Sequence, residues 1–271
     1  MKFIERLGKE WLFFDGGMGS ILQERGLAAG ELPETWNITR PEEIRSIHRA
    51  YLDAGSDIIN TNTFGANALK FPDNLREIVE AAVSNAKETR RQSGREDAYI
   101  ALDLGPTGRL LQPMGDLPFE QAVELFGEVV RIGAAAGVDL VLIETMSDSY
   151  ELKAAVLAAK ENCVLPVLAT VIFDENGKML TGGTVDSVAA MLEGLRVDAL
   201  GVNCGLGPKQ MLPIVKRLTE VSSLPVIVNP NAGLPRSENG KTVYDIDADE
   251  FAALMGEIAD LGVQVLGGCC G

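Results

Sequence analysis

The chain has 271 residues, 46% of them hydrophobic and 23% charged, which is ample material for a buried core and excludes a disordered segment. Acidic residues outnumber basic ones 39 to 24, a formal charge of −15, so phosphate backbones and anionic lipid are repelled and neither nucleic acid nor a membrane is an expected partner. The single histidine, His48, excludes HExxH and other histidine-rich metal sites.

The first residues, MKFIERLGKEW, are charged and lack the apolar stretch of a signal peptide. No apolar run approaches the roughly 20 residues of a membrane span. A cytoplasmic location is expected, with the four cysteines, Cys163, Cys204, Cys269 and Cys270, kept reduced.

In chain order, short apolar runs alternate with segments of helical spacing. WLFFDGG (11–17) reads as the first strand, and PEEIRSIHRAYLDAG (41–55) as a helix opened by Pro41 and two acids. SDIINTNTF (56–64) and AYIALDLG (98–105) are the next strands, and PFEQAVELFGEVVRIGAAAG (118–137) the helix after them. DLVLIET (139–145) leads into the helical SDSYELKAAVLAAKENC (147–163). PVLATVIF (166–173), DALGVNC (198–204) and PVIVNPNAG (225–233) follow as strands, then the helical DADEFAALMGEIADLG (247–262) and the strand VQVLGGCCG (263–271).

Several strands are almost uniformly apolar until their last residues, as buried parallel strands are. Eight of them with helices between, and no linker rich in Pro, Ser or charge, predict an α/β fold, a single (β/α)8 TIM barrel over residues 1–271. A doubly wound sheet is the alternative, but no G-x-G-x-x-G follows the first strand. The last strand ends at Cys270-Gly271, so the eighth helix is missing and the chain reads as a fragment or module of a larger protein.

Active sites of such barrels lie at the C-terminal strand ends. Those ends carry Asp15-Gly16-Gly17, Thr61 to Phe64, Asp103, Glu144-Thr145, Asn203-Cys204, Asn229 to Asn231 and Cys269-Cys270. Three cysteines therefore share one rim, and three thiolates with a vacant position form a catalytic rather than a structural zinc site. Buried small hydrophobes or a strained vicinal disulfide are the other readings of Cys269-Cys270. Cys163 ends a helix away from the rim and reads as structural; His48 falls between Ile44 and Tyr51 at helical spacing and reads as packed. TGGT (181–184) could cradle a phosphate but reads as a plain turn, with no Lys or Arg assigned to it. Asp15, Asp103 and Glu144 converge on the rim, where like charges raise one another's pKa unless a cation is present.

FFDGGMGS, LPETWN, SDIINTNTFGAN, DLGPTG, IETMSD, GVNC, PNAG and the terminal GGCCG, in this order, resemble the homocysteine-binding domain of the homocysteine S-methyltransferases. The family includes cobalamin-dependent methionine synthase, betaine–homocysteine methyltransferase and S-methylmethionine-dependent enzymes. TNTFGA and DLGPTG stand nearer the methionine synthase branch. The resemblance implies a (β/α)8 barrel that binds zinc through Cys204, Cys269 and Cys270, with Asn231 completing the shell when substrate is absent. It implies that Asp15 with Gly16, and Glu144, hold the amino acid part of homocysteine. Asn62, Thr63, Phe64, Asp103 and Asn203 match further rim positions on the substrate side. This sequence departs from the family in lacking the threonine-rich turn and final helix after GGCCG, which leaves two of the cysteines within the last three residues, where chains fray.

A free thiol with a pKa near 8.5 is mostly protonated at neutral pH, and a zinc-bound thiol loses its proton. The expected activity is thus methylation of homocysteine to methionine, with Glu144 and Asp15 fixing the ammonium and the backbone amides after Asp15 receiving the carboxylate. Methylcobalamin or another corrinoid on a separate domain or protein is the expected donor, a betaine- or S-methylmethionine-type donor the alternative. Two other classes compete: a zinc- or thiol-binding subunit without turnover, and a metal-free lyase or aldolase using Asp103 and Glu144 as acid and base.

Overall fold

A computed structural model describes residues 2–234, 236–238 and 241–271. Eight parallel strands form the barrel: β1 (Leu12–Phe13), β2 (Ile58–Asn60), β3 (Tyr99–Leu104), β4 (Leu140–Met146), β5 (Val167–Val171), β6 (Ala199–Asn203), β7 (Val226–Asn229) and, after the hairpin β8 (Arg236–Glu238) and β9 (Lys241–Val243), β10 (Val265–Leu266). Each pairs with its neighbours in chain order, β10 lies between β7 and β1, and a parallel bridge between Phe14 and Ile58 closes the ring.

All eight strands predicted from sequence are present. The small helix α1 (Phe3–Arg6) sits under the barrel, and α2 (Met18–Glu24) and α3 (Trp36–Thr39) follow β1. The outer layer consists of α4 (Pro41–Ala54), α5 (Leu75–Ser93), α6 (Phe119–Ala136), α7 (Ser149–Asn162), α8 (Val185–Gly194), α9 (Pro208–Val221) and α10 (Ala248–Asp260). Local chemistry sets their limits. Pro41 opens α4, and Gly55 at φ +108° closes it in a conformation that disfavours other residues. Thr184 of the TGGT turn caps α8 by accepting from Ser187 N, so this segment serves as turn and cap.

Two apolar layers result. Leu12, Phe14, Ile58, Ala101, Leu142, Leu168 and their neighbours fill the barrel interior, and Phe3 of α1 meets Tyr99 edge to face at its floor. The larger layer lies between strands and helices.

The floor also carries a repeated register device. Asp57, Asp139 and Asp198, each just before an even strand, accept the backbone N–H of Phe13, Ile100 and Val167 on the preceding odd strand at 2.8–3.0 Å. Arg6, Arg90 and Lys160 pair with the same three carboxylates. The charge-assisted bonds pin neighbouring strands and free the opposite end of the barrel for chemistry.

Among the described residues, helices flank every strand gap except the one between β10 and β1. There an apolar groove of about 810 Å³ runs along α10, lined by Trp11, Phe13, Phe251, Met255 and Leu266. Trp11 is 61% and Phe13 45% exposed. The groove reaches Cys269 and Cys270, whose segment is nonetheless tied down: Gly268 N donates to Asp15 O, Cys269 N to Pro230 O, Cys270 N to Asn231 Oδ1, and Ala232 N back to Cys270 O, all at 2.8–3.1 Å.

Candidate active site

Strands β6 and β10 deliver three sulfurs to one point at the C-terminal mouth. The Sγ atoms of Cys204, Cys269 and Cys270 all lie within 4.8 Å of one another, with Cys269 and Cys270 4.0 Å apart. That separation excludes a disulfide, whose sulfurs bond at about 2.05 Å. It suits a shared tetrahedral ion, since zinc–sulfur bonds of about 2.3 Å place neighbouring sulfurs about 3.8 Å apart. Cys204 is presented by a sharp corner: it has φ +54°, Gly205 has φ +73°, and Cys204 N is held by Asn229 O at 3.0 Å. Cys163, the fourth cysteine, caps α7 with its thiol on Ala159 O and takes no part.

The sulfur cluster is electrostatically one unit. Contacts from the Cys269 and Cys270 thiols push the Cys204 pKa down to about 3. The same contact with Cys204 drives Cys269 well up and Cys270 up to about 11. The three thiols therefore do not ionise independently, and a cation among them would favour the thiolate forms. Asn231 borders the cluster, its Oδ1 accepting from Cys270 N at 3.0 Å and its side chain helping to lower the Cys204 pKa.

Acidic groups line the adjoining wall. Asp15 and Asp103 are buried, and burial raises both carboxyl pKa values well above normal, with Glu144 adding like charge. Glu144 on β4 is half-buried; burial, then the charge of Cys204, pushes it up to about 8. Both Asp15 oxygens are engaged by Asn60, whereas Asp103 Oδ1 is buried with no hydrogen-bond partner among the described residues. Such a wall favours a cation.

The remaining predicted residues divide. Gly16 lies under the Tyr51 hydroxyl, which a Cβ would meet at 2.8 Å, and a Cβ on Gly17 would meet Cys269 O at 2.2 Å, so this turn has no room for side chains. Asn203 is fully buried between Glu144, Thr145 and Cys269. Asn62 is spent on the LPETWN loop, its amide donating to Pro33 O and Asn37 Oδ1. Thr63 bonds Asp103 O at 2.7 Å and Thr61. Phe64 stands 39% exposed at the rim, its ring against Gly105. Asn62 and Thr63 therefore shape the wall, and Phe64 faces the mouth.

Sequence reasoning missed three residues. Asn60 shares the inward face of β2 with Ile58, a period-two signal that was available. Glu34 binds Gly65 N at 2.6 Å and adds charge near Asp103, although nothing in PETWN marks it as buried. Tyr244 follows the β8–β9 hairpin beside Cys270, and burial, then the Cys270 charge, raises its hydroxyl to about 12. No periodicity in its segment points to the sulfur cluster. His48 is buried with neither ring nitrogen partnered among the described residues, a packed side chain as its spacing suggests.

Comparison with known proteins follows the same lines. A family model described as homocysteine S-methyltransferase matches residues 12–271. Methionine synthase of Mycobacterium leprae (strain TN) is 33% identical over 287 aligned residues, covering 99% of this chain and 24% of that protein. Methionine synthase of Mycobacterium tuberculosis (strain ATCC 25618 / H37Rv) is 32% identical with the same coverage. The chain thus spans about a quarter of the length of these relatives, at 24%. The metallated form of the homocysteine methyltransferase MmuM from Escherichia coli superimposes with a TM-score of 0.81 at 22% identity, over 97% of this chain and 92% of that one, and shares its fold. Among the described residues, no helix is long and apolar enough to cross a membrane.

Proposed function

This chain belongs to the homocysteine S-methyltransferase family, and from that premise we propose that it binds zinc through Cys204, Cys269 and Cys270 and methylates homocysteine to methionine. The observation that carries the reading is the meeting of three sulfurs within 4.8 Å beside a wall of buried carboxylates.

The donor set fits the ion. Three soft thiols converge on one point, and Asn231, whose Oδ1 accepts from Cys270 N at the edge of the cluster, would complete the shell in the absence of substrate. When bound there, zinc supplies the Lewis acidity that lowers the pKa of an incoming thiol.

The chain's own residues then orient the substrate. Glu144 receives the homocysteine ammonium, with the unpartnered Asp103 oxygen on the same wall. The backbone N–H groups after Asp15 are offered to the carboxylate, and the absence of side chains on Gly16 and Gly17 keeps that backbone accessible. Methyl transfer is an in-line displacement: a sulfur lone pair forms the S–C bond while the bond from the methyl carbon to its donor breaks, the donor keeping that pair. The thiol proton passes to solvent, so no histidine base is required, in accord with a buried His48.

The methyl donor in this reading is methylcobalamin or a related corrinoid held by another domain or protein, after the resemblance of TNTFGA and DLGPTG to the cobalamin-dependent methionine synthase branch. Zinc-loaded protein mixed with homocysteine and methylcobalamin should form methionine and consume the methylcobalamin absorbance. Methionine from S-methylmethionine or betaine alone would move the donor assignment to those classes. No methionine from any donor, with zinc and homocysteine both bound, would leave a binding subunit.

A further inference from the structure

Asn203, the last residue of β6, has every valence of its amide occupied inside the protein. Its Oδ1 accepts from Thr145 N and from Thr170 Oγ1, both at 2.8 Å. Its Nδ2 donates to Thr145 Oγ1 at 2.7 Å and lies 3.4 Å from Glu144 Oε2 and 3.9 Å from Cys269 Sγ. An amide offers two lone pairs and two N–H donors. The lone pairs go to the scaffold, and the donors reach both the ammonium-binding carboxylate and the sulfur cluster.

The backbone around this amide is strained at two places. Thr145 has φ +61° and Cys204 φ +54°, two of the three non-glycine residues with positive φ among the described residues. A β-branched residue in that region is costly and persists only where its surroundings hold it. Both the N–H and the hydroxyl of Thr145 are bonded to the one Asn203 side chain. Asn203 thus fixes the Glu144–Thr145 corner of β4 against the Cys204 corner that follows it on β6.

We propose that Asn203 is a positioning residue that sets the distance between Glu144 and the sulfur cluster, and so selects the length of the amino acid thiol. The inference rests on the function proposed above. A substrate held at both ends, ammonium on Glu144 and sulfur at the cluster, is measured by the strut between them. Homocysteine spans it, and cysteine, one methylene shorter, reaches one end only. One methylene is worth about 10–200-fold in a site that measures it.

The test is calorimetric binding of homocysteine and of cysteine to zinc-loaded protein, alongside zinc content, for wild type, Asn203→Ser and Thr170→Val. Wild type should prefer homocysteine by about tenfold or more. Asn203→Ser should keep its zinc and lose homocysteine affinity by about tenfold, with cysteine affinity little changed, so the preference collapses. Adding Thr145→Gly, which accepts positive φ without strain, should restore part of that loss. Thr170→Val removes one anchor of the Asn203 oxygen and serves if Asn203→Ser does not fold; it should shift the preference in the same direction by less. An unchanged homocysteine-to-cysteine ratio in the variants, or loss of both ligands in equal proportion, would overturn the positioning role while leaving the proposed function standing. Failure of wild type to bind zinc or homocysteine would overturn both.

Discussion

Asn60 takes both carboxylate oxygens of Asp15 across the first strand gap, Oδ2 through its backbone N–H at 2.7 Å and Oδ1 through its side-chain amide at 3.0 Å. Asp15 is thereby a clamp between β1 and β2 that holds the Gly16–Gly17 turn, and its main-chain oxygen also accepts from Gly268 N. In the proposed function, Glu144 and Asp103 are then the carboxylates with oxygens free for a substrate ammonium.

Glu144→Gln should therefore weaken homocysteine binding by about tenfold to a hundredfold, the value of a charge-assisted hydrogen bond, with zinc content unchanged. Asp15→Asn should weaken it less and lower thermal stability more. Titration calorimetry and thermal unfolding of the two variants check the contrast; equal homocysteine affinity in Glu144→Gln and wild type would remove Glu144 from the site.

Cys269→Ala and Cys270→Ala should each reduce bound zinc to a small fraction of wild type while leaving the barrel folded, because the segment is also anchored by main-chain bonds to Asp15 and Pro230. Elemental analysis with far-ultraviolet circular dichroism separates these effects. Unfolding of either variant would mark the cysteines as core residues. Retained activity in Cys204→Ala would favour the metal-free reading.

His48 should titrate near pH 4, because burial without a partner depresses its pKa from 6.5 to about 4. The folded protein then binds fewer protons than the unfolded one between these values, so stability is full above pH 6.5 and falls as pH drops toward 4. The loss from this residue is about 3 kcal/mol at 1.36 kcal/mol per unit. As the chain has a single histidine, one imidazole proton resonance reports the pKa directly. A value near 6.5 would contradict the burial.

At the barrel floor, Asp57→Ala removes both the acceptor for Phe13 N and one of the two carboxylate partners of Arg6 among the described residues. It should cost about 1–3 kcal/mol in denaturant unfolding without affecting zinc or homocysteine binding. Loss of zinc in a folded variant would show that floor and mouth are coupled.

The strands were legible in the sequence because buried parallel strands are apolar throughout and stop at polar residues, as in DLVLIET and DALGVNC. Cys204, Cys269, Cys270 and Glu144 could be placed at one end for the same reason. Asn62, Thr63 and Asn203 were legible as rim residues but not in role, since polar side chains at a strand end serve the scaffold or the ligand according to partners far away in sequence: Pro33 for Asn62, Asp103 for Thr63, Thr170 for Asn203. Tyr244 and Glu34 lie in irregular segments, where no period ties a side chain to a direction.

The zinc-edge X-ray absorption spectrum of the loaded protein, before and after homocysteine, tests the central claim most directly. Three sulfur neighbours and one lighter atom at about 2.0–2.3 Å, becoming four sulfurs on addition of homocysteine, is the expected result. A first shell without three sulfurs, or one that homocysteine leaves unchanged, would contradict it.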